Sequence, residues 1–94
     1  MLVKYVRNRK NMVIGAVVAM ANYKDFNNVN RKNYSIGWSM CRKGDQFDKT
    51  LGLKIAEGRA LNGSTTVIPV SMKNDIEYMN NRAMKYFKND INFD

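Results

Sequence analysis

Apolar and polar residues alternate over one stretch of the chain: Tyr34, Ile36, Trp38 and Met40 are interleaved with Ser35, Gly37, Ser39 and Cys41. Period-two alternation places successive side chains on opposite faces of a strand, here one large and apolar, the other small and polar. After Arg42-Lys43-Gly44 the period changes. Phe47, Leu51 and Ile55 recur every four residues and Gly52, Ala56 and Ala60 form a second arc, which predicts a helix over 45–62. Asp45 and Asp48 both suit its N-cap, and Asn62-Gly63 suits its end. This helix is expected to cover the large residues of the strand before it. Its small-residue arc lets another backbone approach closely, either the sheet or a second helix.

The rest of the chain divides on the same grounds. Leu2–Arg7 predicts a first strand, closed by the turn-forming run Asn8-Arg9-Lys10-Asn11. Met12–Tyr23 predicts a second strand, since Val13, Ile14, Val17 and Val18 disfavour a helix, with a bulge at Gly15 or burial on more than one face near its middle. Lys24–Asn33 lacks an apolar period and reads as an exposed connection. Pro69 restricts Ser64–Met72 to an edge strand near Val67 or an extended crossing segment. Asn74-x-x-Glu77 looks like a capping-box variant opening a second helix over 74–89. On that helix Ile76, Met79, Ala83, Tyr86 and Phe87 share one face, and Tyr78, Arg82, Lys85 and Lys88 the other. The expected fold class is α+β: a three-stranded antiparallel β-meander packed with two α-helices, with an extra edge strand as the open addition. Ninety-four residues make a single small domain, 1–94, burying about 60–65% of its unfolded surface, too little for a large internal cavity.

Charge changes the picture. The net charge is +8, and residues 1–43 carry nine Lys or Arg against the single acid Asp25, while 44–94 carry seven of each sign. A field so concentrated in one half points to a polyanionic partner, nucleic acid first, then an anionic membrane surface or an acidic protein. In a meander the first connection and the strand-to-helix connection emerge at one end of the sheet. Arg7, Arg9, Lys10, Arg42 and Lys43 are then expected to cluster although about thirty residues separate them in sequence. Arg31, Lys32, Arg82 and Lys85 complete the candidate nucleic-acid-binding set. Tyr5, Tyr23, Tyr34 and Tyr78 are candidates for stacking on exposed bases.

Catalysis is hard to build from these residues. The chain has no histidine and one thiol, Cys41, and its eight carboxylates read mostly as helix caps or lone charges among Lys and Arg. No catalytic residue, cofactor or metal site is expected, and no phosphate loop is present. A single cysteine forms no internal disulfide, which favours a reducing cytoplasm. The longest apolar run, Met12–Ala21, has about half the length a membrane span needs, so no membrane partner is expected. Met12, Met20, Met72, Met79 and Met84 suggest an adaptable apolar face for a protein partner or a homodimer.

The segments Val17–Ala19, Ile36–Cys41, Asp45–Lys49 and Leu51–Ala60 resemble a family of short bacteriophage proteins with a Gly-Trp-Ser-x-Cys strand and a helix ending in Gly-Arg-Ala. In size and charge the chain is also similar to antitoxin-like phage inhibitors of host toxin–antitoxin defence, which act together with RNA. The resemblance implies basic residues at the sheet end binding RNA and a helical face meeting a host defence protein. The combined expectation is a non-catalytic nucleic-acid-binding phage accessory protein of the host cytoplasm, RNA favoured over DNA. The alternative is an inhibitor or adaptor that binds a host protein without nucleic acid.

Overall fold

The computed structural model describes residues 1–21, 34–42, 44–62 and 68–87. Three strands, β1 (Leu2–Arg7), β2 (Val13–Ala21) and β3 (Tyr34–Met40), form an antiparallel sheet in the order β1-β2-β3. Helices α1 (Lys49–Asn62) and α2 (Lys73–Tyr86) complete the α+β fold, α2 preceded by a 3-10 turn at Val70–Met72. Val6 pairs with Gly15 and Arg7 with Val13, so Ile14 is the extra residue of a bulge beside Gly15. Ile14 turns its carbonyl to the third strand instead and accepts the Cys41 amide at 2.9 Å.

The two helices lie on opposite faces of the sheet. Leu2, Val6, Val17, Ala19 and Tyr34 pack against Met72, Met79, Ala83 and Phe87, with Ile36, Trp38 and Met40 around them. Val18 packs against Ala56 and Ala60 on the other face, joined by Val3, Met20 and Leu53. The large residues of β3 are therefore covered by α2, and the expectation that the next helix covers them is corrected: α1 takes the small side. The reason is steric. A Cβ on Gly37 would stand 2.5 Å from the Ala60 amide nitrogen and closer still to the Ala56 carbonyl, so the α1 backbone rests directly on a strand that offers it no side chain. Dispersion contacts are then made along the backbone, which bulky residues at these positions would prevent.

The helix starts differ from expectation in opposite ways. Asp48 caps α1, its Oδ1 accepting the Leu51 amide at 3.0 Å, whereas Asp45 belongs to the preceding turn and donates its amide to the Arg42 carbonyl at 3.0 Å. For α2 no capping box forms, because Met72 occupies the N-cap with no side-chain hydrogen bond and the 3-10 turn leads straight into the helix, the Met72 amide bonding to the Pro69 carbonyl at 2.9 Å. Ile68 and Pro69 belong to no strand; Val67 lies outside the described residues. Tyr86, expected on the buried face, is 60% exposed and makes a T-shaped contact with Phe87. At the far end Tyr34 stacks on Phe87 with centroids 6.1 Å apart and donates its hydroxyl to Asn80 Oδ1 at 2.6 Å. Burial raises the pKa of that hydroxyl above its ordinary value.

Candidate nucleic-acid interface

The β1–β2 hairpin is braced by its own polar atoms. Asn8 Oδ1 accepts the amides of Lys10 at 2.9 Å and Met12 at 3.0 Å, the Asn11 amide bonds to the Asn8 carbonyl, and Asn11 takes a left-handed φ of 63°. Arg7 Nη1 donates to the Asn11 carbonyl at 2.9 Å, closing the loop from below. Arg9 and Lys10 are left at the tip, exposed, with no ion pair among the described residues. Arg42 follows β3 at the same end of the sheet, since Met40 pairs with Gly15 and Gly15 with Val6. It is also exposed, and Gly44 at φ 89° turns the chain behind it toward α1.

Both helices begin at this end. The first residue of α1, Lys49, reaches across the sheet and places its ammonium 5.0 Å from the Tyr5 ring centroid on β1. The Met72 side chain approaches Gly15 from the other face, which puts the start of α2, with exposed Lys73, near the hairpin as well. Arg7, Arg9, Lys10, Arg42, Lys49 and Lys73 thus share this end with three acids, Asp45, Asp48 and Asp75, and Asp75 is taken up by Lys4 in the one ion pair among the described residues. The positive ends of two helix dipoles add to this field. Lys49 and Lys73 escaped sequence reading because a tertiary approach brings each of them to the hairpin end.

Two candidates on α2 do not join this cluster. Arg82 and Lys85 lie late in α2, about 14 and 18 Å along its axis from Lys73, toward the Tyr34 end. Arg31, Lys32 and Lys43 lie outside the described residues, as does Tyr23. Of the tyrosines proposed for stacking, Tyr5 is half-buried beneath Lys49, Tyr34 is buried, and Tyr78 on α2 has the Lys4 ammonium 5.2 Å from its ring centroid. The methionine face is also corrected: Met72 and Met79 are fully buried in the core, Met20 packs against the α1-side core, and the exposed Met12 and Met84 lie in the hairpin loop and on α2.

Asp48 gives this end a testable electrostatic brake. Asparagine caps helices as well as aspartate does, so Asp48→Asn removes a charge and keeps the hydrogen bond to Leu51. A unit charge ~8 Å from a phosphate in water is worth about 0.5 kcal/mol, a factor of about two in affinity. The variant is expected to bind nucleic acid about twofold more tightly at low salt, with the fold kept and a melting temperature lowered slightly by loss of the charge at the α1 N-terminus, read by fluorescence anisotropy and circular dichroism.

Beside the basic end a cavity of about 320 Å³ opens between β3 and α1, lined by Ser39, Met40 and Cys41 on one side and Phe47, Leu51, Gly52 and Ile55 on the other, with Arg42, Asp45 and Asp48 at its mouth. The Cys41 thiol donates to the Asp45 carbonyl at 3.5 Å. The Ser39 hydroxyl is buried and has no hydrogen-bond partner among the described residues. An unsatisfied buried hydroxyl costs about 1–3 kcal/mol, so Ser39→Ala is expected to leave stability unchanged or raise it by up to ~1 kcal/mol in denaturant titration. Destabilisation would mean the hydroxyl is satisfied. Among the described residues no group of three His, Cys, Asp or Glu could hold a metal ion, and no helix is long and apolar enough to cross a membrane. No protein-family description matches the chain, nor does any curated protein or solved structure.

Proposed function

We propose that the chain is a non-catalytic nucleic-acid-binding protein that docks a phosphate backbone on the hairpin end of its sheet, RNA being favoured over DNA. The observation that carries this reading is the convergence of exposed Arg9, Lys10 and Arg42, unpaired among the described residues, beside Arg7, Lys49 and the two helix starts. Each phosphate neutralised releases condensed counterion, so cations held without acidic partners give a strongly salt-dependent affinity. The phage-family resemblance adds a setting, the infected cytoplasm, and a purpose, counteracting a host defence such as a toxin–antitoxin system.

A second reading has its own observation. Leu51 and Ile55 are exposed on α1 beside the cavity, and an apolar strip of that kind suits a host protein partner. Salt separates the two. With four phosphates engaged, raising salt from ~50 to ~200 mM should weaken RNA binding by about 50-fold for a single strand and about 150-fold for a duplex, whereas an apolar protein interface should hardly respond. The measurement is anisotropy of a labelled RNA with the purified full chain. Absence of binding to RNA and to duplex DNA alike at ~50 mM would remove the nucleic-acid reading.

A further inference from the structure

We infer that the hairpin end takes double-stranded nucleic acid by its backbone, in preference to single strands by their bases. This rests on the nucleic-acid reading of the same end and names the form of the ligand. Aromatic surface decides first. Proteins that hold single strands stack successive bases on exposed rings. At this end every described ring is already engaged. Tyr5 lies beneath the Lys49 ammonium, and Phe47 is folded onto Gly52, where a Cβ would stand 2.5 Å from its Cε1. Trp38 packs beside the α2-side core and carries the Arg59 guanidinium 4.3 Å from its ring centroid, the same guanidinium donating to the Trp38 carbonyl at 2.8 Å. Of the exposed described tyrosines on α2, Tyr86 sits at its far end, and Tyr78, about 7.5 Å along the axis from Lys73, has the Lys4 ammonium 5.2 Å from its ring centroid. Arg9, Lys10, Arg42 and Lys73 have no ion pair among the described residues, while the rings at this end are covered by side chains.

The spread of the cations points the same way. Arg9 and Lys10 stand on the hairpin in the plane of the sheet, Arg42 two strands away at the other edge, Lys49 on the α1 side and Lys73 on the α2 side. Strands lie about 4.8 Å apart, so the hairpin and Arg42 are separated by up to about 10 Å. A single strand offers one line of phosphates. A duplex offers two rows across a groove of about 6–12 Å in B-form DNA, which matches cations placed on both edges of the sheet. Preorganisation adds a third ground. The loop is held by the Asn8 side chain and by Arg7, so the backbone that carries Arg9 and Lys10 is braced before the ligand arrives, as backbone-shape recognition needs. Contacts of this kind carry register and no sequence.

The test uses the full chain and labelled 20-nucleotide probes at ~100 mM salt: single-stranded RNA, the same sequence as duplex RNA, and as duplex DNA. At least tenfold tighter binding to a duplex, unchanged when its sequence is shuffled, is the expected result. Equal or tighter binding to the single strand overturns the inference and leaves the nucleic-acid reading standing. Failure to bind any probe, even at ~50 mM salt, overturns both. Duplex preference that vanishes on shuffling also overturns it, since base edges would then be read.

Discussion

Gly37→Val is expected to abolish the native fold or lower its thermal midpoint by well over 10 °C. The added Cβ would meet the Ala56 carbonyl and stand 2.5 Å from the Ala60 amide nitrogen, and both are backbone atoms of a hydrogen-bonded helix that have no rotamer to escape into. α1 would have to lift from the sheet, and with it goes the packing among Val18, Ala56 and Ala60 that makes up the smaller of the two cores. Overpacking usually costs about 1–3 kcal/mol when side chains can adjust. Here a whole layer moves, so at least ~3 kcal/mol is expected, and in a domain this small each kcal/mol shifts the midpoint by about 4–8 °C. Gly58→Ala is the control. An added Cβ there meets nothing within 4 Å, and replacing an interior helical glycine by alanine should stabilise α1 by about 0.5–1 kcal/mol. Melting curves of the two variants by circular dichroism should move in opposite directions. If Gly37→Val melts within ~3 °C of the parent, α1 does not rest on that strand.

The same glycine shows where sequence reading succeeds and where it stops. Period-two alternation is a local property, so the bounds of β1 and the start of β3 are legible from residue order alone, while Gly15 leaves a bulge and two-sided burial as alternatives that only the register decides. Topology follows, because a short turn at Asn8–Asn11 and continuous apolar runs leave little besides a meander. Which helix takes which face is not local. Alternation says that β3 has a large side and a small side, and proximity in sequence favours the wrong helix for the large one. The deciding signal is shape complementarity between Gly37 and the Ala56/Ala60 arc, present in the sequence but requiring the pair to be recognised as facing each other. The interface divides in the same way. Connectivity alone brings Arg7, Arg9 and Lys10 to the end where Arg42 emerges, but Lys49 and Lys73 join them through tertiary packing, and Arg82 and Lys85 fall away because α2 runs from the hairpin end toward Tyr34. Met72 and Met79 look like surface candidates in the sequence because methionine fits either setting; burial beneath the sheet decides it.

Replacing Arg9, Lys10 and Arg42 together by serine is expected to remove nearly all nucleic-acid affinity while leaving the fold untouched. All three are exposed and none has an ion pair among the described residues, so their removal should change stability by no more than about 0.5 kcal/mol each, within the range of ordinary surface substitutions. Arg7 is left in place because its guanidinium holds the Asn11 carbonyl, and removing it would loosen the loop as well as discharge it. Counterion release gives each neutralised phosphate a slope of about 0.9 in log affinity against log salt, which at ~0.1 M salt corresponds to about eightfold per phosphate. With three phosphates no longer neutralised, binding to duplex RNA or DNA should weaken about 500-fold and the salt slope should fall by about 2.7. Replacing Arg82 and Lys85 by serine removes two of the same charges from the far half of α2. If docking is confined to the hairpin end, that pair should cost no more than the long-range field, about two- to threefold once screening beyond the ~10 Å Debye length is included. Comparable weakening from the two sets would show that net charge, wherever it sits, drives binding. The hairpin end would then be one patch among several rather than the docking surface.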